Sequence, residues 1–299
     1  MNTICITGGN GLLGSKLLEA AQGRYRIVTI DLAESPLYTV DNLEYYKVDI
    51  THKEKIIELI NKFQPHCVFH TAALTNVDEC EREEQKAWDI NVTGTENLVQ
   101  ACQSFPCTFI HLSTDYIFNG KNGPYSEDDQ PDPVSVYGQT KLESEKIVRN
   151  NLSHYIIART MILYGYFPGV RKNFITWLIE AMQQGKELRI VTDQYGTPTL
   201  ADDCASALLT LYERNARGIY HTAGRELINR YDMARKVVDV FQVQDVSLSP
   251  LSTDQLHQDA PRPLRSGLKI DKIKNEFGIP FSSLEEGIIR VKEQMERSL

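Results

Sequence analysis

The sequence predicts a doubly wound α/β fold followed by a smaller C-terminal α+β domain. Three observations carry this prediction: strand-like and helix-like runs alternate through the first half, a glycine-rich turn follows the first run, and the alternation breaks down in the second half. Strands with continuous apolar runs are typical of a parallel sheet that is covered by helices on both faces. We therefore expect one large sheet layer and a less regular second unit.

The elements of the first half follow from the spacing of apolar residues. Strands are predicted at 3–7, 25–30, 67–71 and 108–113, and helices at 12–22, 53–63 and 83–104. In the second half, helices are predicted at 174–184, 231–241 and 283–298. The boundary between the two domains is predicted near residue 160, and short strands at 188–191 and 219–221 are candidates to return to the large domain.

Composition excludes several classes of protein. The chain has 299 residues, of which 41% are hydrophobic and 24% charged, so it carries enough apolar surface to fold. Its formal charge of −8 disfavours nucleic acid as a partner. No apolar run is long enough to span a membrane, and no basic segment precedes the first strand, so a cytoplasmic location is expected. The six cysteines form no Cys-x-x-Cys motif, so neither disulfides nor a zinc site are expected.

The glycine-rich turn predicts a dinucleotide site. Gly8, Gly11 and Gly14 lie between the first strand and the first helix, and Leu12 and Leu13 begin that helix. Glycines at this spacing let a pyrophosphate approach the amide groups of a helix N-terminus. Residues 1–160 are accordingly assigned to a Rossmann-like dinucleotide-binding domain, and residues 161–299 mainly to a substrate-binding domain.

Two acidic residues after the turn are candidates for binding the adenosine half of the cofactor. Asp31 ends the second predicted strand, where a carboxylate binds ribose hydroxyls and repels a 2′-phosphate. This favours NADH over NADPH, although the sequence leaves both open. Asp49 and Ile50 follow another short strand and are candidates to lie near the adenine.

A catalytic pair is predicted on a helix downstream. Tyr137 and Lys141 are four residues apart and share a helical face. An ammonium beside a phenol is expected to lower the pKa of Tyr137 towards neutrality and to make it a usable acid or base. Thr114 ends the strand at 108–113, at the sheet edge where ligands bind, so it is expected to hydrogen-bond a substrate oxygen.

These residues carry a family resemblance. The chain resembles the extended short-chain dehydrogenase/reductases and, among them, the dTDP-4-dehydrorhamnose reductases. Matching motifs run in order along nearly the whole chain, at residues 8–14, 71–78, 113–120, 124–127, 137–143, 193–199 and 262–266. The motif at 113–120, Ser-Thr-Asp-Tyr-Ile-Phe-Asn-Gly, is the most specific, because related epimerases and dehydratases carry other residues there.

The resemblance implies a role for each matching position. It implies that Thr114, Tyr137 and Lys141 are catalytic, and that Thr114 and Asp115 also bind the sugar. Further cofactor contacts are implied at Ala73, Leu74, Thr75 and Leu112, and substrate contacts at Ile162 and Arg262. Asn91 is implied as a buried support of the site. The implied reaction is NADH- or NADPH-dependent reduction of the C4 keto group of a deoxysugar nucleotide, with dTDP-4-dehydrorhamnose as the leading substrate, and a homodimer is left open.

One departure keeps two other functions open. The reductases usually have a tryptophan where this chain has Ile162, and an isoleucine cannot stack on a sugar in the same way. The stretch also resembles that of the regulatory β subunit of methionine adenosyltransferase, which would bind cofactor without turnover. A sugar-nucleotide epimerase or dehydratase is the third hypothesis.

Other polar features are interpreted as structural. His70 and His111 lie near predicted strand ends, but Tyr137 already supplies a proton-transfer group, so both are expected to be core or surface histidines. The acidic run at 78–84 lacks the spacing of a compact metal cage. No metal site is therefore expected.

Overall fold

The computed structural model describes residues 1–298, and its centre is a seven-stranded parallel sheet. The strands of the chain are β1 (Thr3–Thr7), β2 (Arg26–Asp31), β3 (Leu43–Lys47), β4 (Cys67–His70), β5 (Thr108–Thr114), β6 (Tyr155–Thr160), β7 (Leu163–Tyr164), β8 (Leu188–Val191), β9 (Tyr195–Gly196), β10 (Thr199–Leu200), β11 (Gly218–His221), β12 (Ile228–Asn229) and β13 (Leu248–Leu251). The central order is β11-β6-β5-β4-β1-β2-β3. The strand order therefore reverses between β1 and β4, which is where doubly wound sheets bind ligands.

Helices cover both faces of this sheet, as the fold class predicts. They are α1 (Leu12–Ala21), α2 (Lys53–Phe63), α3 (Val77–Arg82), α4 (Glu84–Trp88), α5 (Gly94–Cys102), α6 (Val136–Asn151), α7 (Phe174–Gln183), α8 (Ala201–Glu213), α9 (Arg230–Phe241), α10 (Asp271–Phe277) and α11 (Leu284–Glu296). Alternate residues of β1 serve opposite faces: Ile4 and Ile6 pack with α1 and α8, whereas Cys5 packs with α2 and α5. This two-residue alternation gives each face its own apolar core.

Three small two-stranded sheets organise the second half. β7 pairs with β10, β9 with β12, and β8 with β13. Helices α7, α9 and α11 enclose a third apolar core that contains Leu178, Met233 and Ile288. Helix α8 instead packs against α1, so part of the second half covers the central sheet.

The two strands that were candidates to return to the large domain behave differently. β11 joins the central sheet beside β6. β8 does not: it pairs in parallel with β13, and its Leu188 and Ile190 are buried in the third core. Helix α9 packs on β8, so the apolar side chains of β8 are buried without the central sheet. The domain boundary near residue 160 stays a prediction.

The long helix predicted at 83–104 is interrupted. A π-helical turn, Asp89–Thr93, separates α4 from α5. Such turns are frequent at functional sites, and this one carries the buried Asn91. Among residues 1–298, no helix has the length and apolar composition needed to cross a membrane. All six cysteines are free thiols, and five of them are buried.

Candidate functional site

A cleft of about 760 Å³ opens at the carboxyl ends of the central strands. Nearly every residue predicted for the site lines it: Gly8, Gly11, Leu12, Leu13, Gly14, Asp31, Asp49, Ile50, Ala73, Leu74, Thr75, Leu112, Thr114, Asp115, Tyr137, Lys141 and Ile162. Arg262 is the one predicted residue that does not. The sequence motifs, which are spread over more than a hundred residues, are thus brought to one surface.

The glycine turn is shaped for a close-lying ligand. Gly8 has a φ of +72°, and a Cβ on Gly14 would lie 2.1 Å from the Gly8 carbonyl oxygen, so neither position accepts a side chain. Gly11 caps α1 without any side-chain hydrogen bond to the helix amides. The amides of Leu12 and Leu13 therefore point from the helix N-terminus with no side chain covering them. This cradle fits the pyrophosphate of a dinucleotide.

Asp31 and Asp49 are held at the far end of the cleft. The Asp31 carboxylate accepts hydrogen bonds from the backbone amides of Asn10 at 2.9 Å and Leu32 at 2.8 Å. Asp49 accepts the amide and the hydroxyl of Thr51, at 2.9 and 2.8 Å. These bonds fix both carboxylates at the edge of the cleft, and Asp31 lies at the end of β2, where the ribose of a dinucleotide is expected.

Thr114 lies where β5 ends. Its hydroxyl accepts the Tyr116 amide at 3.2 Å and donates to the Asp115 carboxylate at 3.2 Å. Asp115 is buried, and burial raises its pKa to about 6, although hydrogen bonds from Ser266 and Thr114 oppose the rise. The strand end therefore presents a hydroxyl and a carboxyl group of weakened acidity to the cleft.

Helix α6 delivers Tyr137 and Lys141 to the same wall. Ser135 caps the helix through the Gly138 amide at 3.3 Å, which fixes where the first turn begins. A Cβ on Gly138 would lie 2.2 Å from the Tyr116 carbonyl oxygen. The glycine between the two predicted catalytic residues is therefore required for α6 to approach the end of β5, a role that the sequence analysis did not identify.

The pKa of Tyr137 differs from the expectation. Burial raises it, a hydrogen bond with Thr114 lowers it, and the charge of Asp115 raises it further. The expectation that Lys141 lowers the pKa of Tyr137 is wrong, because the Lys141 ammonium contacts His111 and not the phenol. The phenol is consequently protonated at neutral pH.

Lys141 is itself an unusual cation. Its side chain is buried, and burial lowers its pKa to about 8, partly opposed by the charge of Glu145. Its Nζ lies 3.3 Å from Nε2 of His111, whose Nδ1 has no partner among residues 1–298. Burial lowers the pKa of His111, so the ring is neutral, which suits a contact with a lysine.

The loop after β4 is fixed by Asn91. The Asn91 side chain accepts the Leu74 amide at 2.8 Å and donates to the Leu74 carbonyl at 3.1 Å and to Thr140 Oγ1 at 3.0 Å. Thr140 in turn donates to the Tyr137 carbonyl at 2.9 Å. Asn91 thereby ties the loop at Ala73–Thr75, which lines the cleft, to the first turn of α6. It is buried beside the site, as the resemblance implied.

Ile162 and Arg262, the two remaining predicted substrate contacts, differ in their surroundings. Ile162 has a φ of +43°, a left-handed conformation that β-branched residues rarely adopt. Such strain persists where the surrounding structure enforces it, and it is frequent at functional sites. Arg262 lies outside the cleft: it pairs with Asp78 at 2.7 Å and donates to the Ala260 carbonyl at 2.7 Å. Its predicted contact with the substrate stays a prediction, and its ion pair with Asp78, which is remote in sequence, was not expected.

The structure adds residues that the sequence analysis missed. Arg171 and Lys172 are exposed and line the cleft between the short strand β7 and helix α7. Thr160, at the end of β6, also lines it, and its hydroxyl has no partner among residues 1–298. The two adjacent cations before the Asn173 helix cap can be recognised in the sequence. No neighbouring motif indicated that they lie near the first domain.

Comparisons with known proteins agree with this geometry. A family model described as the RmlD substrate binding domain matches residues 1–297. A dTDP-4-dehydrorhamnose reductase of Aggregatibacter actinomycetemcomitans is 31% identical, covering 98% of this chain and 99% of the relative. The methionine adenosyltransferase 2 subunit beta of Rattus norvegicus is 30% identical, covering 91% of this chain and 81% of the relative.

A solved structure is also similar over the whole fold. The dTDP-4-dehydrorhamnose reductase of Bacillus anthracis in complex with NADP superposes with a TM-score of 0.86 at 29% identity. The alignment covers 98% of this chain and 100% of that one.

Proposed function

The chain belongs to the RmlD substrate binding domain family, and on that premise we propose that it reduces the C4 keto group of a deoxysugar nucleotide. Its similarity to dTDP-4-dehydrorhamnose reductases, one of them solved with NADP, makes it an NAD(P)-dependent sugar-nucleotide oxidoreductase. The specific substrate that we propose is dTDP-4-dehydrorhamnose, which would give dTDP-rhamnose. The observation that carries the proposal is the convergence of Thr114, Tyr137 and Lys141 on the cleft that begins at the glycine turn.

Each residue has a defined task in this proposal. The nicotinamide, when bound, supplies the hydride that reduces the carbonyl carbon. Tyr137 donates its phenolic proton to the oxygen at C4, and its raised pKa keeps that proton in place at neutral pH until negative charge develops on the oxygen. Thr114 holds the same oxygen by a hydrogen bond. Lys141 binds a ribose hydroxyl and stabilises the phenolate that remains.

We also propose that NADH is the preferred cofactor. The carboxylate of Asp31, fixed by backbone amides, accepts ribose hydroxyls and repels a 2′-phosphate. The exposed Arg171 and Lys172 line the same cleft and favour a phosphate, although Lys172 is paired with Glu180. The kcat/KM ratio for NADH over NADPH measures which effect is larger. We expect the ratio to fall in Asp31→Asn and to rise in the double variant Arg171→Gln, Lys172→Gln.

A regulatory subunit without turnover is the second candidate function. Two observations favour it: the similarity to the methionine adenosyltransferase β subunit, and Ile162 in the place of the usual tryptophan. An epimerase or dehydratase of the same fold is the third, and such an enzyme would consume no added cofactor. The intact set of Thr114, Tyr137 and Lys141 favours the reductase over the regulatory subunit.

The experiment follows NADH and NADPH absorbance with dTDP-4-dehydrorhamnose as substrate. The reductase oxidises the cofactor stoichiometrically, and Tyr137→Phe retains cofactor binding but loses about 10²- to 10⁴-fold in kcat. Oxidation with other 4-keto sugar nucleotides but not with this one would keep the reaction and replace the substrate. Absence of oxidation with every keto sugar, together with intact cofactor binding, would favour the regulatory subunit.

Assembly and location stay predictions. Light scattering of the purified chain distinguishes the homodimer from a monomer. Fractionation of the cells that make the protein tests the cytoplasmic location expected from the sequence.

A further inference from the structure

Arg230 is a cation near the site that has no hydrogen-bond or ion-pair partner for its side chain among residues 1–298. It is the first residue of α9, partly buried, and its guanidinium lies 5.0 Å from the centre of the Phe174 ring. Its side chain makes no hydrogen bond and no ion pair with any of residues 1–298. Arg262, in the same region, is by contrast paired with Asp78.

Backbone pairing fixes where Arg230 lies. Its amide bonds to the Gln194 carbonyl at 3.2 Å, and the preceding residue pairs with Tyr195 in the small sheet of β9 and β12. Tyr195 is bridged to Arg265, and the next residue, Ser266, donates to the Asp115 carbonyl at 3.4 Å. Arg230 is thus attached to the side of the cleft that Asp115 forms, away from the glycine turn.

The surroundings of Arg230 leave its charge incompletely balanced. Burial lowers its pKa, while Tyr116 and Asp115 raise it and Arg262 lowers it. No carboxylate among residues 1–298 comes within 4 Å of the guanidinium, so the charge is compensated only at a distance. Buried or partly buried cations are normally paired, and a guanidinium is suited to binding two phosphate oxygens at once.

We propose that Arg230 binds the diphosphate of the nucleotide substrate. The inference rests on the proposed function, because it takes the substrate to be a nucleoside diphosphate sugar. The sugar lies between Thr114 and the nicotinamide, and the diphosphate extends past Asp115 to the guanidinium. The Phe174 ring holds the guanidinium plane in place, so little side-chain freedom is lost on binding.

The test compares Arg230→Gln with Arg235→Gln, which changes an exposed arginine on the same helix. Titration calorimetry measures the binding of dTDP and UDP, and a kinetic assay measures KM for dTDP-4-dehydrorhamnose. Arg230→Gln is expected to raise Kd for the nucleotide and KM for the sugar nucleotide by roughly 10- to 100-fold, because a charge-assisted contact is lost. Arg230→Lys should recover part of the affinity, and Arg235→Gln should leave both constants unchanged.

Cofactor binding serves as the check on folding. If Arg230→Gln binds NADH normally and still binds dTDP within twofold of the unaltered chain, the inference is wrong even where turnover is observed. If the unaltered chain binds neither dTDP nor UDP, the inference is also wrong. If nucleotide binding depends on Arg230 but no keto sugar is reduced, the inference holds and the proposed reaction fails.

Discussion

Two almost fully buried cations lie at or next to the cleft, and they differ in the partners that surround them. Arg159 is 2% exposed and Lys141 is 3% exposed. Arg159 forms a two-point pair with Glu145, at 3.0 Å and 2.8 Å, and Ser113 donates to the same carboxylate at 2.5 Å. The Lys141 ammonium contacts, among residues 1–298, only the neutral ring of His111 at 3.3 Å.

The difference distinguishes a structural cation from a reactive one. Arg159 also donates to the Glu127 carbonyl at 3.3 Å and lies 5.5 Å from the Phe118 ring centre, so its donors are used inside the protein. The ammonium of Lys141 keeps donors free towards the cleft, and burial lowers its pKa to about 8. Polar groups next to a cleft whose hydrogen-bond donors lack protein partners are typical of a functional site.

The largest expected effect is on activity, in Lys141→Met. Removing the ammonium is expected to lower kcat by about 10²- to 10⁴-fold, because Tyr137 then lacks the charge that stabilises its phenolate. The free energy of unfolding should stay level or rise, since an incompletely paired buried cation is removed. Steady-state kinetics and urea unfolding measure the two quantities. A large loss of stability would show that Lys141 is as structural as Arg159.

The matching change on the other cation is Glu145→Gln. It leaves Arg159 buried without a counter-charge and is expected to lower the free energy of unfolding by about 3–5 kcal/mol. Glu143→Gln, on the exposed face of the same helix, is the control and should change stability by no more than about 1 kcal/mol. If both variants unfold alike in urea, the buried pair is not what distinguishes Arg159.

The pH dependence of stability separates the cations further. The pKa of Lys141 is about 8 in the folded chain against 10.5 for an unperturbed lysine. The folded state therefore disfavours the ammonium: the penalty is fully present below pH 8 and disappears as the pH rises towards 10.5. We expect the unaltered chain to gain about 3 kcal/mol relative to Lys141→Met over this interval.

Unfolding of the cofactor-free protein at pH 7.5 and pH 10 is the measurement. At each pH, the free energy of unfolding of Lys141→Met is subtracted from that of the unaltered chain. This removes the contributions of the other groups that titrate in the same range. Parallel pH curves for the two chains would mean that Lys141 has an ordinary pKa.

The smallest effect is expected in Ser113→Ala. Its hydroxyl donates to Glu145 at 2.5 Å, and losing a hydrogen bond to a buried carboxylate costs about 1.5–3 kcal/mol. Thermal unfolding with calorimetry checks this, and cofactor Kd is expected to stay constant. Ser113 also lines the cleft, so a change in cofactor affinity larger than the change in stability would show that its hydroxyl acts mainly on the cofactor and not on the pair.

Local patterns predicted most of the cofactor side of the molecule. The glycine turn, Asp31 and the Tyr137–Lys141 spacing are each readable within a few residues, because backbone geometry and helical periodicity determine where those side chains lie. The interruption of the helix by Asp89–Thr93 could not be predicted, because a π turn does not change the spacing of apolar residues in a clear way.

The contacts on the substrate side join residues that are distant in sequence, and the sequence did not reveal them. Arg262 was expected to help close the pocket, but its ion pair with Asp78 was not expected. The Glu145–Arg159 pair joins a helix to a strand. Arg230 is connected to the site through the β9–β12 pairing, the Tyr195–Arg265 bridge and the hydrogen bond from Ser266 to Asp115. Tertiary packing decides such contacts, so a single sequence gives no rule for them.

The most direct test of the central claim is the fate of the hydride. The protein is incubated with dTDP-4-dehydrorhamnose and NADH carrying deuterium at the transferred position, and the product is examined by NMR. One deuterium is expected at C4 of the deoxysugar for each NADH consumed, and Tyr137→Phe is expected to transfer at least about 10²-fold less deuterium in the same time. Isomerised or dehydrated sugar without net consumption of NADH, or unchanged sugar with bound cofactor, would contradict it.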